Sequence, residues 1–195
     1  RNLGEKYLKF YLEQQVEVQL VTLGRGTAND AMLDYFGLES HEKAVLFSVV
    51  DDQKWEKLSV GLHRSMRIDV PGTGIAFTIP LSSVGGKKAL GFLVDGQNYE
   101  KGDESVLKET GHELIVAIAN YGYNTQVMRA AEEGGATGGT VLHGKGVGMK
   151  RAEQFLGVSL VSEKEIIFIV SKTEQKNAIM SAIMEKAGVG TKAGT

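Results

Sequence analysis

Glycine is the residue type in this chain whose placement most suggests chemistry. There are 25 glycines against two prolines, and many fall into two clusters. One runs through Gly134, Gly135, Gly138, Gly139, Gly144, Gly146 and Gly148, the other through Gly188, Gly190 and Gly194. Glycine admits positive φ and lets backbone come close to a ligand, and successive backbone N–H groups can cradle an anion. The chemistry implied is binding rather than bond-making. Gly139-Thr-Val-Leu-His-Gly144-Lys145-Gly146 nearly matches the phosphate-loop pattern GxxxxGK[ST]. It fails because Gly146 stands where a magnesium-binding hydroxyl is needed, and because the run reads as strand instead of a strand-to-helix loop. The segment 188–194 has two readings of equal weight: an anion cradle, or a helix stop followed by a tight turn into a strand.

Other chemistry is poorly represented. His41, His63, His112 and His143 have no metal-ligand spacing among them, so surface or capping roles are expected and no metal site is. Asp51-Asp52 reads as a helix start, where acidic groups meet the positive end of the dipole. No Ser, His and acid grouping stands out. With zero cysteines there is no disulfide, thiolate site or thiol nucleophile. A net charge of −2 and a pI near 6.1 leave no basic footprint for nucleic acid. No apolar run reaches the 18 or so residues of a membrane span, and Arg1-Asn2-Leu3-Gly4 shows no signal pattern. A cytoplasmic, non-enzymatic protein is the expectation.

The elements that would position these glycines occur twice. Gly24-Arg25-Gly26 and Gly144-Lys145-Gly146 precede Phe36-Gly37 and Leu156-Gly157 at equal spacing, and the apolar runs Val45–Val49 and Ile166–Val170 follow. The halves are offset by 120 residues at the first landmark and 121 at the last, which indicates a duplication with a one-residue indel. In the second half Glu113–Ala119 and Thr140–His143 read as strands, Ile166–Val170 as a third. Asn124 is expected to cap one helix, ended by Gly134-Gly135, and Thr173 a second, with Ile179, Met180, Ile183, Met184 and Ala187 on its apolar face and Gly188 as its stop. The first half reads as a helix (Leu3, Tyr7, Leu8, Tyr11, Leu12), a strand at Val16–Leu20, a strand at Ala44–Val50, a helix through Trp55, Leu58 and Leu62, and a closing strand at Gly74–Pro80.

These orders predict an α+β fold of two tandem ferredoxin-like (β-α-β-β-α-β) domains, the first lacking its opening strand and the second its closing strand. The boundaries expected are 1–81, a linker at 82–112, and 113–195. Ala89–Val94 within the linker could add an edge strand or pack on a domain. The staggered halves lead to the expectation that about ten residues, the length of a strand, are missing at each end of the chain.

Gly135 through Gly148 resembles the second-strand region of PII nitrogen-regulatory proteins, and Ala187-Gly188-Val189-Gly190-Thr191-Lys192-Ala193-Gly194 resembles their glycine-rich loop after the second helix. The resemblance spans most of 113–195; over 2–81 it is mainly pattern, best at Gly24-Arg25-Gly26 and Gly72–Phe77. It implies a trimeric, ferredoxin-like signal-transduction protein of nitrogen regulation that senses ATP, ADP and 2-oxoglutarate between subunits and docks a loop on a target protein. By position Thr140, Gly146 and Gly148 match nucleotide contacts, and Gly188, Gly190, Lys192 and Gly194 the phosphate-side loop. No firm cofactor follows beyond ATP or ADP as ligand.

Several positions depart from that pattern. Lys150 replaces the glutamine that helps hold 2-oxoglutarate with a metal, and a protonated lysine cannot ligate a cation. The docking loops, about Thr27–Glu42 and Val147–Glu163, are short. Tyr35 has Phe155 as its counterpart, and Leu20 stands at the position of Thr140, so the first unit is expected to have a degenerate site. Two functions therefore remain: a regulator that binds a small anionic ligand and modulates a partner protein, or a PII-fold interaction or structural module that has lost nucleotide and 2-oxoglutarate binding.

Overall fold

In a computed structural model the described residues are 2–25, 42–100, 111–147 and 163–195. The fold is α+β, and the chain divides into two compact units, one of residues 1–81 with 93–101 and the other of residues 82–92 with 102–195. In the first unit, helix α1 (Asn2–Glu13) leads to strands β1 (Gln19–Arg25) and β2 (Glu42–Phe47) and helix α2 (Asp52–Arg64). A short helix, α3 (Lys87–Leu93), follows. The second unit continues with β3 (His112–Asn120), α4 (Asn124–Glu133), β4 (Thr140–Val147), β5 (Glu163–Lys172), a 3-10 turn (Thr173–Gln175) and α5 (Lys176–Ala187). Among the described residues no helix is long and apolar enough to cross a membrane.

The local signals explain most of these elements. The Asp51 carboxylate accepts from Lys54 N–H at 2.6 Å and so caps α2, while His63 and Arg64 sit in its last turn, where cations suit the dipole. Along α2 the period of 3.6 puts Leu58 and Leu62 on one face, and they pack with Phe10 of α1 and with Val16. In the second unit β5 pairs antiparallel with both β3 and β4. Ile115, Ala117, Ile167 and Ile169 share one sheet face, and Val127, Ala130, Ile179 and Ile183 cover it from α4 and α5. The two helices approach closely at Gly134, where a Cβ would come within 2.6 Å of Ile179 Cα.

The spacing between the two halves recurs in the strand pairing. Leu20 lies opposite Phe47 in the first unit and Thr140 opposite Phe168 in the second; Arg25 lies opposite Glu42 and Lys145 opposite Glu163. The offset is 120 along the first strand of each hairpin and 121 along the second. The cores follow suit: buried Phe10, Val16, Leu58 and Leu62 correspond to buried Ala130, Ala136, Ile179 and Ile183. Even the turn after the first helix repeats, with positive φ at Gln15 (63°) and at Gly135 (104°).

The structure corrects several expected boundaries. The first strand begins at Gln19, because Val16 belongs to the close of α1: Val16 N–H bonds to Tyr11 O, and its side chain is buried in the core. Ala89–Val94 is mostly helix instead of an edge strand. Gly74–Pro80 forms no strand or turn, so among the described residues the first unit shows neither an opening nor a closing strand. Asn124 is the first residue of α4 and not its cap. Thr173 opens the 3-10 turn, and α5 starts three residues later.

Candidate functional site

The second glycine cluster closes over the end of β3. Helix α5 stops at Gly188, whose backbone turns extended, and a Cβ there would lie 2.2 Å from Met184 O, so this exit from the helix needs glycine. The chain then turns, Thr191 N–H and Oγ1 both donating to Gly188 O, and Ala193 drops into the core fully buried. Asn120, the last residue of β3, holds this loop twice: its N–H donates to Ala193 O at 2.8 Å and its Nδ2 to Lys192 O at 2.9 Å. At Gly194 φ is +62° and a Cβ would stand 3.0 Å from Asn120 Nδ2, so the clasp needs a glycine there.

Asn120 is itself held. Lys164, directly across on β5, donates from Nζ to Asn120 Oδ1 at 2.6 Å, and both residues are buried. Burial pushes the Lys164 ammonium below the ordinary lysine value. The next residue, Glu165, is also buried, and its carboxylate accepts from Asn124 N–H at 2.9 Å and Asn124 Nδ2 at 2.7 Å. This acid caps α4 from the sheet, which is why Asn124 need not. His143 stands across the ladder from Glu165, with Nδ1 at 3.8 Å from Oε1 and its ring 5.4 Å from that of Tyr121. One end of the sheet thus collects a buried cation, a buried anion, two asparagines and the glycine loop.

Within the second unit the site residues read from sequence fall in two places. Gly188, Gly190, Lys192 and Gly194 share the loop at β3, with Gly190 and Lys192 exposed. Thr140 and Gly146 lie on β4, separated from β3 by β5, or roughly 10 Å at ordinary strand spacing. Thr140 is opposite Phe168 and exposed, at the far end of the strand from Gly146. Gly148 lies outside the described residues, as do Lys150, Tyr35 and Phe155.

Asn120, Lys164 and Glu165 escaped the sequence reading. A signal existed: Lys164 and Glu165 adjoin the apolar run of β5, and charged residues at buried strand positions need partners. Among the described residues no group of three or more His, Asp or Glu side chains could hold a metal. The N–H groups of Gly190, Lys192 and Gly194 make no hydrogen bond to described residues, and the Lys192 side chain is exposed. Comparison with protein-family models, with curated proteins and with solved structures finds no match to the chain.

Proposed function

We propose that the chain is a non-catalytic regulatory protein built of two tandem ferredoxin-like units and resembling PII signal-transduction proteins. In this reading a small anionic ligand, an adenine nucleotide such as ATP or ADP, binds at loop 188–194 and alters the protein's action on a partner protein in nitrogen regulation. The carrying observation is a glycine loop in which the N–H groups of Gly190, Lys192 and Gly194 make no hydrogen bond to described residues, beside an exposed lysine, fastened to the sheet by Asn120. Such a loop meets an anion without reorganising, which lowers the cost of binding. Thr140 and Gly146 stand on β4, two strands from β3 in the same unit. In this reading a pocket using both places is completed by a neighbouring copy, in keeping with the homotrimer that the resemblance implies.

A second reading has its own observation. Gly188 and Gly194 are required by close approach to Met184 and Asn120, and the loop follows a helix C-terminus, whose partial negative charge opposes an anion. These favour an interaction module that keeps the fold without the ligand. Isothermal titration of the protein with ATP, ADP and AMP separates the two. Saturable heat that Lys192→Ala weakens about tenfold, the worth of one charge-assisted contact, supports the regulator; no heat with any nucleotide leaves the interaction module.

A further inference from the structure

Helix α4 aligns Thr125, Gln126, Arg129 and Glu133 along one side, at the three- and four-residue spacings that share a helix face. The end of α5 is tied to that side: Gln126 Nε2 donates to Lys186 O at 2.7 Å, and the Lys186 ammonium pairs with Glu133. These residues, with Tyr123, line a groove of about 530 Å³ that lies wholly within the second unit. Thr125 to Glu133 covers about 12 Å of helix at 1.5 Å per residue. The volume falls within the roughly 300–1,000 Å³ of small-molecule sites.

The electrostatics of the groove turn on a choice of partner. In the first unit Lys9 and Glu13, four residues apart on α1, pair with each other at 3.7 Å. Arg129 and Glu133 have the same spacing on α4, yet Glu133 pairs with Lys186 instead. Arg129 is left with no hydrogen bond or ion pair among the described residues, and it is exposed. The space beside it differs too. Next to Lys9 stands Phe10, whose ring lies so close over Gly61 that a Cβ there would come within 2.6 Å of Cζ. Next to Arg129 stands Ala130, a methyl that lines the groove.

We infer that the groove between α4 and α5 binds a small organic carboxylate, held by the Arg129 guanidinium. The planar fork of a guanidinium offers two parallel N–H donors, which match the two oxygens of a carboxylate. The charged side chains lining the groove are Arg129, Lys186 and Glu133, two cations and one anion. Their net charge of +1 balances a monoanion, whereas a phosphate dianion meets repulsion from Glu133. Gln126 occupies Lys186 O, a carbonyl of the last turn of α5 that would otherwise oppose an anion. The Tyr123 ring and the Ala130 methyl give apolar contact to the body of the ligand. None of this depends on a nucleotide at loop 188–194.

Titration of the isotope-labelled chain with benzoate, read by NMR at the amides of 122–133 and at the Arg129 Nε–H, tests the site. Saturable shifts centred on these groups are expected, with a Kd on the order of 1 mM for a ligand of this size. Benzamide has the shape without the charge and should bind at least about tenfold more weakly. Arg129→Lys keeps the charge but loses the fork, and should weaken benzoate about fivefold. Glu133→Gln removes the anion from the groove, so preference should move about tenfold from benzoate toward phenyl phosphate. Arg129 and Glu133 are exposed, so both variants fold, and unchanged amide shifts in β3 and β5 verify that. No saturable shift at about 50 mM benzoate, equal binding of benzamide, undiminished benzoate binding in Arg129→Lys, or an unmoved preference in Glu133→Gln overturns the inference.

Discussion

Asn120→Ala is the change that most directly tests the architecture of the site. The side chain accepts from the buried Lys164 ammonium at 2.6 Å and donates to Lys192 O at 2.9 Å. A hydrogen bond to a charged group contributes about 1.5–3 kcal/mol and one to a carbonyl about 0.5–1.5 kcal/mol. Removing both therefore costs roughly 2–4 kcal/mol, since the ammonium stays buried with its acceptor gone. Amide exchange of β3 and β5 measures this in the second unit directly, and the loss corresponds to a drop in protection of about 30- to 1,000-fold. Lys164→Met removes the charge together with the need for a partner. The double variant should therefore recover about 1–3 kcal/mol relative to additivity. Asn120→Asp keeps an acceptor for Lys164 but puts an oxygen against Lys192 O, so the bonded amides of Thr191 and Thr195 should exchange faster while β3 and β5 stay protected. Protection of Asn120→Ala within threefold of the parent, a difference of about 0.7 kcal/mol, together with additive effects in the double variant, would refute the account of the clasp.

Two further outcomes follow from single residues. Gln15 occupies positive φ where its repeat counterpart is Gly135; Gln15→Gly should stabilise the first unit by about 0.5 kcal/mol, the relief of left-handed strain less the extra freedom of glycine in the unfolded chain. Trp55, in the same core as Phe10 and Val16, reports this in urea titrations, and a lowered midpoint would contradict it. The second outcome concerns pH. Lys164 has its proton affinity lowered by burial, so the unfolded chain binds more protons between the folded value and the ordinary 10.5, and stability should rise with pH across that window. Tyr7 and Tyr11, raised above 10.0 by burial, act oppositely, and their contribution is lost as pH climbs past 10. Exchange-derived stability of β5 should show the rise in the parent chain and lack it in Lys164→Met; a rise of equal size in both would remove Lys164 as its source.

The parts of the fold legible from sequence are those in which the pattern records which face is buried. Ile166–Val170, Leu58 with Leu62, and Ile179 with Ile183 were readable because period and burial coincide. The offsets of 120 and 121 read from the landmarks recur along the first and second strands of the two hairpins. What the pattern could not record is which group receives a hydrogen bond. Val16 alternates with polar neighbours as a strand residue would, yet its N–H closes α1 onto Tyr11. Asn124 is a favoured capping residue, yet the capping oxygen comes from Glu165, 41 positions away. The glycines of loop 188–194 were readable, but their clasp was not, since Asn120 and Lys164 are neighbours only through the pairing of β3 with β5.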